Sequence, residues 1–137
     1  MSGDPVSPIM TDEPSSEEPT QTSVLIVDDD RGFGRAAAEM LADRGFLVLG
    51  QATTITEALV RCDQLGPDAV LLDVRLPDGD GVLLAEMLRA RPDRPRVLLT
   101  STDRNAVSDA MLRHSGASGF LPKTELADSD LDRFLTG

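Results

Sequence analysis

Residues 68–81 read Asp-Ala-Val-Leu-Leu-Asp-Val-Arg-Leu-Pro-Asp-Gly-Asp-Gly. The run Ala69 to Leu72 follows a Gly66-Pro67 break and stops at Asp73. An apolar run of this length, with no alternation, suits a strand buried on both faces, as in a parallel sheet. Gly79-Asp80-Gly81 then leads into Val82 to Leu88, a helical segment with Asp80 placed as its N-cap.

The same unit repeats in both directions. Upstream, Val24 to Val27 ends at Asp28, Asp29 and Asp30, and Phe46 to Leu49 follows Gly45. Downstream, Val97 to Leu99 follows Arg94-Pro95 and ends at Thr100, and Phe120-Leu121 follows Gly119 and leads to Lys123. The intervening segments carry helical spacing. Phe33, Ala36, Ala37, Met40 and Leu41 precede Gly45; Ile55, Ala58, Leu59 and Cys62 precede Gly66; Ala106, Val107, Ala110 and Met111 precede Gly116. A short last helix is expected near Glu125 to Leu135, with Leu126, Leu131, Phe134 and Leu135 as its apolar positions. Five strands alternating with five helices predict an α/β domain with a doubly wound, five-stranded parallel sheet. The flavodoxin-like order 2-1-3-4-5 is the natural topology, with its functional crevice outside the carboxyl ends of the strands.

Composition narrows the class. The chain has 137 residues, a length suited to one domain, and it lacks Trp and Tyr, so its core is aliphatic. Its net charge is −11. Residues 1–22 are rich in Pro, Ser, Thr, Asp and Glu without apolar periodicity, and read as a disordered acidic arm before a domain spanning 23–137. The arm carries five acids and no base, which leaves 19 acids against 13 bases in the rest. An acidic domain has no basic face to neutralise nucleic-acid phosphates, so direct DNA or RNA binding is not expected. No signal peptide, membrane span or cysteine-based metal site is expected either, and a cytoplasmic, bacterial protein fits the composition.

Parallel strands share one carboxyl edge, so Asp28, Asp29, Asp73, Thr100 and Lys123 should converge there. Carboxylates gathered in one crevice repel one another, and a single Lys compensates them only in part. A divalent cation is the remedy, and an all-oxygen donor set favours Mg²⁺ over zinc or copper. Asp73 is then a credible nucleophile toward phosphorus, screened by the cation and Lys123, with the Thr100 hydroxyl available to a phosphoryl oxygen. Taken singly these residues have plainer explanations. An Asp at a strand end is commonly a helix cap, the role expected for Asp30, and a lone Lys is commonly solvated. Turn chemistry accounts for Gly79 and Gly81, Cys62 reads as a small apolar residue, and Arg91 and Arg94 read as a solvated loop. His114 falls at a helix end, away from the strand edge.

Four blocks, VLIVDDD (24–30), DAVLLDVRLPDGDG (68–81), VLLTS (97–101) and GASGFLPK (116–123), resemble the signature blocks of response-regulator receiver domains, in order and at strand ends. The resemblance implies that Asp73 is the phosphorylated aspartate. It implies that Asp28 and Asp29 organise Mg²⁺, that the Arg75 backbone carbonyl ligates it, and that Lys123 binds the phosphate. Thr100 and Phe120 match the switch pair, and the Ser101 amide should lie near the phosphate. The implied partners are a sensor histidine kinase or histidine phosphotransfer protein as donor and an unidentified downstream protein. The implied part is a two-component, phosphorelay one, played by a stand-alone receiver that is not an enzyme beyond its own phosphorylation and dephosphorylation. Two departures stand out: Pro122 precedes Lys123 where many relatives have Lys-Pro, and Phe120 replaces a common Tyr. A pseudo-receiver that binds partners without phosphorylation is the alternative. An aspartyl phosphohydrolase is a third reading, disfavoured because the chain has no insertion large enough to cap a substrate.

Overall fold

The computed structural model describes residues 21–137. The acidic arm expected over residues 1–22 lies outside them, apart from Gln21 and Thr22. Five strands, β1 (Ser23–Val27), β2 (Leu47–Ala52), β3 (Ala69–Asp73), β6 (Arg96–Ser101) and β7 (Gly119–Pro122), form one sheet in the order β2-β1-β3-β6-β7. All four pairings are parallel. Counted along the chain, this is the expected 2-1-3-4-5 order. Between Asp73 and the next helix, β4 (Arg75–Leu76) and β5 (Gly79–Asp80) make a two-residue antiparallel ribbon around Pro77-Asp78.

Every residue of β3 is buried, and alternate side chains serve opposite faces of the sheet. Val70 and Leu72 join Leu25, Val27, Val97 and Leu99 in one apolar cluster. The helices α2 (Ile55–Leu65) and α3 (Gly81–Arg89) close that cluster through Ala58, Cys62, Leu84 and Leu88. Ala69 and Leu71 join Val24, Ile26 and Leu98 in the other cluster. There α1 (Arg31–Asp43) contributes Ala37 and Leu41, and the chain's last segments contribute Leu126, Leu131 and Leu135. Burial on both sides is why these runs carry no alternating polar residues.

Local chemistry sets the helix ends. Asp30 caps α1 by accepting from the Phe33 amide, and Asp80 caps α3 by accepting from the Val82 amide. Thr54 caps α2, and Gly66 ends it in the left-handed region at φ 56°. Cys62 is buried as expected, and burial pushes its thiol pKa up.

The carboxyl-terminal part departs from expectation. The helix α4 spans only Asp109–Ser115, capped by Ser108. Ala106 and Val107 precede it in a loop yet still pack on the core, whereas Ala110 and Met111 face solvent. Ser108 supplies a capping hydroxyl three residues before Met111, and its bond to the Met111 amide starts the helix there. The expected last helix splits into a 3-10 turn (Lys123–Asp128) and a single α-turn, α5 (Asp132–Leu135). Its expected apolar positions nonetheless face the core. The Arg91 loop is also less solvated than its composition suggests, because Arg91 pairs with Asp63 of α2 and with Asp93.

Candidate functional site at the carboxyl edge of the sheet

The parallel register carries the acids to a common edge. Asp28 extends β1, with its amide donating to Ala52 O at 2.9 Å. Asp73 ends β3 opposite Thr100 of β6, and the next amide, Val74 N, donates to Thr100 O at 2.9 Å. Gly81 locks the far side of this turn. A Cβ added there would lie 2.1 Å from the Asp73 carbonyl oxygen, so the start of α3 sits against the Asp73 backbone only because residue 81 has no side chain. Turn chemistry alone does not account for this glycine. The ribbon turn is tied down as well: the Asp78 carboxylate accepts from the Ile55 and Thr56 amides at 2.7 and 3.1 Å, capping α2, and these bonds hold its pKa below the ordinary carboxylate range.

Asp28, Asp29 and Asp73 each place a carboxylate oxygen within 4.8 Å of the others. Lys123 bridges two of them, with Nζ at 2.7 Å from Asp28 Oδ2 and 3.4 Å from Asp73 Oδ2. Asp28 Oδ1 accepts from the Asp30 amide at 2.8 Å, and Asp73 Oδ1 accepts from the Arg75 amide at 3.1 Å. Asp28 and Asp73 are buried, and Asp29 is exposed at the mouth. The open crevice has a volume of about 390 Å³, and its lining includes Asp29, Asp73, Arg75, Ser101, Thr102 and Lys123.

The electrostatics follow from burial. Asp28 is raised above its ordinary pKa by burial first and by repulsion from Asp73. The contacts with Lys123 and the Asp30 amide oppose this without reversing it. Burial disfavours the Lys123 ammonium, but its interactions with Asp28 and Asp73 outweigh that and raise its pKa. Lys123 is therefore a cation, and with three carboxylates around it the cluster keeps an excess of negative charge.

That excess bears on whether a metal ion fits. Asp28 Oδ2 is fully buried, and its close partner is the Lys123 ammonium, at 2.7 Å. One ammonium does not balance three carboxylates, and the remaining negative charge is an unmet demand for a cation. The donors are all hard oxygens, so the site suits a cation such as Mg²⁺ or Ca²⁺.

Not every expected residue faces the crevice. The Thr100 hydroxyl donates to Leu121 O at 2.7 Å, within the β6–β7 seam. Phe120, half-buried, packs beside Ala106, Val107, Leu112 and Ala117 on the same cluster. Ser101 is buried and lines the crevice, its hydroxyl accepting from the Asp103 amide. His114 lies in the last turn of α4 and contributes nothing to the crevice lining. One neighbour was not foreseen: the Phe33 ring, whose centroid lies 4.2 Å from Lys123 Nζ. In the sequence Phe33 is one more apolar position of α1, and no local signal marks a contact with a residue ninety positions away.

Comparison with known proteins gives a consistent picture. The response regulator receiver domain family model matches residues 24–134. The DNA-binding transcriptional activator DevR/DosR of Mycobacterium tuberculosis is 41% identical over 103 residues, which cover 73% of this chain and 46% of that protein. The chain thus spans about half the length of this curated relative. The signal receiver domain of the response regulator NarL from Mycobacterium tuberculosis superposes with a TM-score of 0.71 at 31% identity, covering 83% of this chain and 96% of that one. A response regulator from Burkholderia pseudomallei, solved with a phosphorylated aspartic acid, calcium ion and citrate, superposes with a TM-score of 0.71 at 25% identity, covering 85% of this chain and 68% of that one.

Proposed function

The chain belongs to the response-regulator receiver family, and from that premise we propose that it accepts a phosphoryl group on Asp73 in a Mg²⁺-dependent reaction and thereby switches a protein-binding face. The observation that carries this reading is Lys123 Nζ held between Asp28 and Asp73, beside three carboxylate oxygens within 4.8 Å. An Asp73 oxygen forms the new P–O bond while the P–N bond to a donor histidine breaks, and the proton stays with the departing imidazole. The donor is a sensor histidine kinase or histidine phosphotransfer protein. Asp28, Asp29, Asp73 and the Arg75 backbone carbonyl would hold the cation, which would supply charge neutralisation for attack by one anion on another. Lys123 pairs with a phosphoryl oxygen, and the Ser101 amide donates to another.

The signal leaves through β6 and β7. Phosphorylation adds about −1.5 to −2 charges and three strong acceptors. Thr100 gives up its bond to Leu121 O and turns to the phosphoryl group, and Phe120 moves into the space released. The surface over residues 103–120 changes shape and meets the downstream protein. Beyond its own phosphorylation and dephosphorylation the domain turns over no substrate.

The test is incubation with acetyl phosphate or beryllofluoride, with and without Mg²⁺, read by intact mass and by NMR. One equivalent of phosphate should attach in wild type, and none in Asp73→Asn or in EDTA. Undiminished labelling of Asp73→Asn would falsify the assignment, and steady release of phosphate from a small ester would point to a hydrolase. Thr100→Ala should still take the label and lose phosphorylation-dependent partner binding.

A further inference from the structure

Phe33 stands in the first turn of α1, half-buried against the cluster built around Leu41 and Leu71. Its ring also lies against the Lys123 ammonium, and a closed circuit of contacts fixes it there. Asp28 Oδ1 accepts from the Asp30 amide at 2.8 Å, and Asp30 Oδ1 accepts from the Phe33 amide at 3.0 Å. The Phe33 ring carries Lys123 Nζ at 4.2 Å from its centroid, and Lys123 Nζ returns to Asp28 Oδ2 at 2.7 Å. The loop that bears the acids therefore also sets the height of the ring under the ammonium.

A lysine on a flexible four-carbon stem ordinarily extends its charge into water. Lys123 does not, for its side chain is only 12% exposed. Two carboxylates attract it, but both are needed for other work once a cation or phosphoryl group is present. The ring is the remaining electron-rich surface, and it binds neither. Its negative face attracts an ammonium, and that attraction grows as water is excluded.

From this geometry we infer that Phe33 is a positioning residue for phosphoryl transfer, its ring confining the Lys123 ammonium to the gap between Asp28 and Asp73. The inference rests on the phosphoacceptor reading of Asp73. Pre-placement matters because a charge already aimed at the developing negative charge needs no reorganisation during the reaction. Leu at position 33 would fill the apolar space without the quadrupole, whereas Tyr would keep the aromatic face.

The experiment compares full-length wild type, Phe33→Leu and Phe33→Tyr. Three quantities are read: the initial rate of Asp73 labelling by acetyl phosphate at saturating Mg²⁺, the Kd for Mg²⁺, and the NMR shift of the Lys123 ε-methylene protons. Wild type should show those protons shifted upfield by the ring. Phe33→Leu should lose the shift and label about fivefold more slowly, the rate equivalent of about 1 kcal/mol, with an unchanged Kd for Mg²⁺. Phe33→Tyr should restore both rate and shift. Wild-type labelling by Phe33→Leu, equal loss in both variants, or an unshifted Lys123 in wild type would overturn the inference. A wild-type chain that takes no label overturns the phosphoacceptor reading instead, and the Lys123 shift still decides where the ammonium sits.

Discussion

β3 and β7 both deliver a functional side chain to one crevice, but they are built differently. β3 lies mid-sheet, paired on both sides, with all five residues buried and Gly81 pressed against its last carbonyl. β7 is an edge strand of four residues, with Phe120 and Leu121 only half-buried. The segments around it, α4 and α5, are short. Asp73, the proposed phosphoacceptor, thus sits on the part of the fold that has no room to move. Of the residues assigned to respond, Phe120 sits where packing is thinner, and Thr100, itself buried on β6, is tied to that edge through Leu121 O. A switch needs that division: a fixed acceptor gives reproducible chemistry, and a looser edge can hold two arrangements at small cost.

The contrast is tested most severely by core truncation. Leu71→Ala, at the centre of the sheet, should cost about 2–5 kcal/mol. Leu112→Ala, on α4 and only partly buried, should cost about 1 kcal/mol or less. Urea unfolding of both variants checks this, and equal losses would remove the distinction between a rigid centre and a soft edge.

Cation binding comes next in size. At a free concentration about 100 times its Kd, Mg²⁺ should stabilise the wild-type fold by about 2.7 kcal/mol. Asp29→Asn should lose most of that gain without unfolding, because Asp29 is exposed and carries no core contact. Thermal or urea denaturation with and without Mg²⁺ reads the difference. A smaller effect is expected at the seam between the two regions. Thr100→Val keeps the shape but leaves Leu121 O without its 2.7 Å donor, at a cost of about 1 kcal/mol. The variant should still accept phosphate on Asp73, and an unchanged unfolding midpoint would show that this bond contributes nothing to the resting state.

The same division governs what the sequence discloses. The strands of the centre announce themselves as unbroken apolar runs, and their order follows from crossover handedness, so the convergence of Asp28, Asp29, Asp73 and Lys123 is legible before any coordinates. Period and caps also place α1, α2 and α3. At the edge the signals fail for identifiable reasons. Ala106 and Val107 are apolar because they cover the core, not because they are helical, so periodicity extends α4 one turn too far. Leu126, Leu131 and Leu135 are spaced for burial, and the turn between them is invisible to a hydrophobic pattern. Phe33 and Gly81 escape because their roles depend on contacts across the fold, a ring under Lys123 and a backbone against Asp73. Neither contact leaves a mark in neighbouring residues.

The smallest effect concerns pH, and its sign separates the crevice from the rest of the surface. Burial and Asp73 raise Asp28 above its ordinary value. Between that value and the raised one, the folded chain binds more protons than the unfolded chain, so metal-free stability should increase as pH falls from neutral through this window. Glu57 and Asp78 act in the opposite sense. Amide bonds from Thr53 and from Ile55 lower them, and the stability they contribute is lost only as pH falls further, through their own depressed values. Asp78 is exposed and Glu57 half-exposed, so their share is modest. Lys123, raised by its acidic neighbours, contributes stability that is fully present below its ordinary value and lost only in strong alkali. Metal-free wild type should therefore be slightly more stable at about pH 4, near the ordinary carboxylate value, than at pH 7, whereas Asp28→Asn should not gain over that interval. Saturating Mg²⁺ should reverse the wild-type trend, because the cation binds the ionised cluster and is released by protons. Urea midpoints at the two pH values, with and without Mg²⁺, provide the measurement. A wild type that loses stability over that interval without metal would mean that Asp28 is ionised at little cost, and that the crevice is wetter than its burial indicates.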